Sequence, residues 1–219
     1  AFMVAISPRS LVMKDFSISM ALVDFIPVIF FGISSIILMR DLYNKMSKAA
    51  YAIFCAGMIN ITFAGALKAL YKLLYALGIC DFEALSDMFF PTQSIGFLLA
   101  GIGIVLMMCQ KSGSVKMLGT APVFFSGTFV FVGLMVAGLG LMDTVLCILS
   151  AKLKKPWLIA IFFVCSLGMG YLSSKNFEVA SMNWIAQGVN VAGQGSLLLG
   201  VYFLDKNGLK DLVLRGGEK

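Results

Sequence analysis

Six long, almost uninterrupted apolar runs leave this chain few ways to fold: about Ser17 to Met39, Ala49 to Leu77, Met88 to Met108, Gly119 to Ser150, Trp157 to Ser173 and Asn183 to Leu204. A hydrocarbon core about 30 Å thick is crossed by roughly 20 residues of α-helix, and each run meets or nearly meets that length. None shows the period-two alternation that a membrane strand requires. The expected fold class is therefore all-α, a polytopic membrane helix bundle of six transmembrane helices forming one integral membrane domain over residues 1–219. Splitting the long fourth run near Gly138 and Gly140 would make seven.

Composition excludes the soluble alternative. Hydrophobic residues make up 60% of the chain and charged residues 13%, against about 45–50% and 25% in soluble domains. The formal charge of +6 sits in clusters between the runs, where it serves topology and anionic headgroups rather than nucleic acid. If every run is one crossing, ten Lys and Arg fall on the amino-terminal side and six opposite, which predicts a multi-pass cell-membrane protein with both termini in the cytoplasm. Trp157, Trp184 and Tyr202 end their runs, where amphipathic rings favour the headgroup level.

Two short echoes recur 95 positions apart: Pro27 to Gly32 with Pro122 to Gly127, and Phe82 to Ser86 with Phe177 to Ser181. They suggest repeats over 17–110 and 118–205, three helices each, and an odd number of helices per unit would make the repeat inverted.

The sixth run carries the sharpest polar pattern. At 100° per residue Asn183, Gln187, Asn190 and Gln194 share an arc of about 60°, while Gly188, Ala192, Ser196 and Gly200 recur at every fourth position on another face. An amide stripe must find partners or water inside a membrane. Asn60 in the second run and Gln93 in the third extend the polar set, so Asn60, Gln93, Asn183, Gln187, Asn190 and Gln194 are the expected substrate-binding residues of an amide-lined interior. The second run places Asn60 with Gly57, Ala64, Lys68, Tyr71 and Tyr75 within an arc of roughly 80°.

Asp24, Lys68 and Asp143 are charges within the runs. Helix parity puts all three in one leaflet, so Lys68 is expected to pair with Asp24 or Asp143, the competing arrangement being snorkelling to the headgroups. The loop acids Asp81, Glu83 and Asp87 read as a solvated surface.

Catalysis has little basis here. The chain has no histidine, which removes Ser-His and Cys-His nucleophiles and His-ligated metals or haem. Its five cysteines are scattered singly and read as small buried apolar residues. No cofactor, metal or enzymatic activity is expected. The reading is a small transporter or channel-like protein for a polar solute, neutral or zwitterionic. Its alternative is a binding or assembly subunit that docks a partner helix, or a second copy, through Gly188, Ala192, Ser196 and Gly200.

Overall fold

The computed structural model describes residues 17–109, 128–173 and 180–214. They form helices α1 (Ile18–Val23), α2 (Phe25–Leu42), α3 (Lys48–Ala76), α4 (Ala84–Asp87), α5 (Phe89–Cys109), α6 (Thr128–Lys152), α7 (Trp157–Ser173) and α8 (Ala180–Lys206), with no strand among the described residues. Four stretches are long and apolar enough to cross a membrane: Ile18–Lys45, Lys48–Ala76, Ala84–Cys109 and Val130–Lys152. The apolar helix Trp157–Gly168 is shorter, and the amides of α8 dilute its apolar character.

Local chemistry sets the helix limits. Ser17 and Ser47 cap α1 and α3 by accepting from Met20 N and Ala50 N, each at 3.2 Å. Pro27 lacks an N–H for the Val23 carbonyl and its ring crowds that carbonyl, and the helix divides at Asp24. Gly78, at φ +68°, ends α3 in a left-handed cap, with Ile79 N donating to Leu74 O and Gly78 N to Tyr75 O, both at 3.0 Å. Lys154 takes the same role after α6 at φ +57°, with Lys155 N bonded to Ser150 O at 2.9 Å.

Contacts give the helix directions. Gly32 lies against Thr62 and Gly65 against Val28, so α2 and α3 are antiparallel. Gly57 meets Ala100 while Gly103 meets Phe54, making α3 and α5 antiparallel as well. Gly138 packs on Phe97 and Leu98, and Leu141 on Gly101, positions that advance together; α5 and α6 are parallel. Helix α7 returns against α6, joining Ser166 to Asp143, and α8 reverses again, with Gly168 near Val189 and Gly200 on Phe162. Asp24 with Gln187 and Arg40 with Asp205 make α8 parallel to α2.

Two expectations fail on these directions. The groups α2, α3, α5 and α6, α7, α8 run in the same sense, so an inverted arrangement does not describe them. Ser17 lies at one end of the bundle, here the proximal end, and Lys206 at the other, the distal end, so the described chain does not start and finish on one side. Helix α6 passes unbroken through Gly138 and Gly140. Gly138 is instead a backbone-to-backbone contact with α5, where a Cβ would overlap Phe97. Residues 119–127 of the fourth run, and with them Pro122 to Gly127, lie outside the described residues, as does most of Phe177 to Ser181.

Large apolar side chains line the outside, as on α2 with Ile29, Ile33 and Ile36 at 55%, 43% and 65% exposure. That inverts the soluble pattern and suits a lipid solvent. Trp157 and Tyr202 lie near the distal end and Trp184 near the proximal one, all exposed. Toward the distal end the interior is closed by Leu38, Leu42, Phe54, Leu146, Phe162 and Leu204, all fully buried. Buried hydroxyls are satisfied within their own helices: Ser35 donates to Phe31 O and Ser150 to Leu146 O, both at 2.8 Å.

Candidate functional site

A polar cavity of about 70 Å³ occupies the proximal half, bounded by α2, α3, α5 and α8. Its polar lining is Asp24, Thr62, Lys68, Gln93, Asn190 and Gln194; Pro27, Phe31, Ile61 and Phe89 are among its apolar walls. The division of the first span at Asp24, forced by Pro27, puts the carboxylate at this wall.

Asp24 is held from two sides. Its Oδ2 lies 2.5 Å from the Lys72 ammonium, with both side chains nearly buried at 12% and 9% exposure. Its Oδ1 accepts a hydrogen bond from Gln187 Nε2. Lys68, one turn before Lys72, has its Nζ 3.9 Å from the Phe89 ring centroid and 5.7 Å from that of Phe90.

The expected pairing is therefore corrected. Lys72 is the ion-pair partner of Asp24, and Lys68 makes a cation–π contact instead. Asp143 cannot serve Lys68. Lys68 lies beside Phe89 at the start of α5, whereas Asp143 lies beyond the Gly138–Gly101 contact on the parallel α6, which separates the charges by roughly 20 Å along the bundle at 1.5 Å per residue. The single-leaflet placement assumed an antiparallel α6. Asp143 is buried between α6 and α7, where Ser166 Oγ donates to its Oδ2; its Oδ1 has no hydrogen-bond partner among the described residues.

Of the six expected amides, Gln93, Asn190 and Gln194 line the cavity and Gln187 binds its carboxylate. Asn183 lies one turn nearer the proximal end and outside the lining. Asn60 is half-buried on α3, also outside it. The α3 face assigned to Asn60 divides by depth: Gly57 and Ala64 are buried, with Gly57 packed on α5, and only Lys68 reaches the cavity. Lys72 was missed although it repeats Lys68 at i+4 on the same face. Tyr71 and Asp81 are also joined, Tyr71 Oη donating at 3.0 Å, so that acid is not merely solvated.

The small-residue face of α8 divides too. Gly200 packs on Phe162, while a Cβ on Gly188 would meet nothing and Ala192 is exposed. Among the described residues no cluster of His, Cys, Asp and Glu could hold a metal, and Cys165 is the one buried cysteine, Cys80 and Cys109 being exposed.

The arrangement can hold a small polar guest between an ammonium and several amides, with buried apolar side chains between it and the distal end. Compared with family models, curated proteins and solved structures, the chain matches none.

Proposed function

We propose that this protein is a membrane transporter, not an enzyme, for a small polar solute, and that the cavity is its binding site in a state facing one side. The observation that carries this is the placement of the cavity: α8 of one three-helix group and α2, α3 and α5 of the other line it together, while the apolar layer closes the distal end. Relative movement of two such groups would expose the site to either side.

Helix directions support an orientation. Arg40, Lys45, Lys48, Lys152, Lys154, Lys155, Lys206 and Lys210 gather at the distal end, while the described proximal loop holds Asp81, Glu83 and Asp87. The positive-inside rule then makes the distal end cytoplasmic and the cavity end external. With Ser17 at the proximal end and Lys206 at the distal end, the described chain begins and ends on opposite faces. The equivalent contacts Phe54–Gly103 and Phe162–Gly200 favour a parallel duplication of the three-helix unit.

A Thr62→Cys variant on a cysteine-free background, reconstituted in vesicles of known orientation, tests the function. A transporter admits an impermeant thiol reagent to this position from either face. Labelling from the external face alone would refute transport. It would favour the second reading, a binding or assembly subunit, which the outward-facing Gly188 and Ala192 support as a docking face for a partner helix or second copy.

A further inference from the structure

Resting on the reading of the cavity as a solute site, we propose that its guest is a small monovalent anion bound to the Lys68 ammonium. The argument begins with charge. Two ammonium groups and one carboxylate meet around the cavity, and Lys72 and Asp24 are the charged neighbours of Lys68. Asp24 is committed: one oxygen faces Lys72 at 2.5 Å and the other takes the Gln187 amide hydrogen. Lys68 is left facing the cavity with an aromatic ring at 3.9 Å, a contact that orients an ammonium without neutralising it.

An anion entering the cavity supplies the missing negative charge where a net ammonium is costly. It would also accept hydrogen bonds from the amide groups of Gln93 and Asn190. A neutral solute leaves the charge unbalanced. A zwitterion places a second cation in a cavity whose one carboxylate is already bound on both oxygens. Size guides the choice of probe: 70 Å³, at 10–15 Å³ for each water-sized group, takes roughly five such groups, the scale of acetate and lactate.

The test compares acids with their uncharged isosteres. Purified full-length protein is titrated calorimetrically with acetate, acetamide, lactate, lactamide, chloride and nitrate at one ionic strength held by gluconate. An acid binding at least about tenfold more tightly than its amide, with Lys68→Met losing that preference and Lys68→Arg keeping it, supports the inference, since a charge-assisted hydrogen bond readily exceeds a tenfold effect. Lys68-dependent binding of chloride or nitrate in place of the acids also supports it and identifies an inorganic guest. Equal binding of acid and amide, acid binding unchanged by Lys68→Met, or no binding by any probe overturns it. The outcome is separable from transport: two-sided labelling at Thr62→Cys with equal acid and amide binding keeps the transporter and removes the anion, and one-sided labelling with Lys68-dependent acid binding does the reverse.

Discussion

Replacing Lys72 by methionine separates the observed charge arrangement from the one the sequence suggests. The substitution keeps the length of the side chain and removes the ammonium 2.5 Å from Asp24 Oδ2. Asp24 then retains the Gln187 amide as its hydrogen-bond partner and Lys68 as a more distant charged neighbour. Both partners are about nine-tenths buried, so solvent screens the loss weakly, and removing one member of a buried pair costs about 3–5 kcal/mol. For a chain of this size that corresponds to a fall in melting temperature on the order of 10 °C. Thermal unfolding in detergent, followed by the fluorescence of Trp157 and Trp184, reads it. Asp24→Asn combined with Lys72→Met removes the stranded charge and is expected to recover at least half the loss. Lys68→Met gives up a cation–π contact of about 0.5–2 kcal/mol but also an unneutralised charge, so its net effect is expected to stay within about 1 kcal/mol. If Lys68→Met destabilised more than Lys72→Met, or the double variant recovered nothing, the assignment of the Asp24 partner would be wrong.

Three further outcomes follow from the packing and the directions. Gly57→Ala forces a Cβ into the Ala100 backbone and should cost about 1–3 kcal/mol by overpacking, whereas Gly188→Ala meets open space and should lose nothing in the same melting assay. In intact cells an impermeant maleimide should label the exposed Cys80 of a variant retaining only that cysteine, and should leave a sole cysteine at Gly208→Cys unlabelled until the membrane is opened; the reverse pattern would invert the orientation. Ser166→Ala strands Asp143 Oδ2 and should cost about 1–3 kcal/mol, with a loss under about 0.5 kcal/mol when Asp143 is already leucine; an equal loss in both backgrounds would deny their coupling.

The helices themselves were legible because the membrane imposes one simple rule, that an apolar run of sufficient length becomes helix. The runs beginning near Ser17, Ala49, Met88 and Trp157 meet the observed helices within about a turn. The amide stripe on the sixth run was legible for a related reason: period 3.6 fixes which side chains share a face. It did not fix depth. Gln187, Asn190 and Gln194 reach the carboxylate or the cavity, while Asn183, on the same stripe, lies beyond it. Asn60 shows the complementary limit, since its face in α3 is largely the packing surface for α5, and only knowledge of the neighbour reveals that. Lys72, one turn beyond Lys68, shares its face and is buried at 7% exposure, a placement that only its contact with Asp24 reveals.

Direction was the larger loss, and its cause is specific. Alternation makes each apolar run antiparallel to the one before it, whereas α5 and α6 are parallel; that one difference reverses every later helix. That reversal moved Asp143 into the wrong half of the bundle and put the distal lysines on two sides. It also hid the proposed duplication. Phe54 and Phe162 are 108 positions apart, while Gly103 and Gly200, which they contact, are 97 apart. A search at one fixed offset cannot find two units whose internal connections differ in length, and the echoes it did find at 95 positions are not the contacts that match. Register in such a bundle is set where glycine lets two backbones meet, so paired contacts of glycine with a large side chain carry the repeat when the apolar letters between them do not.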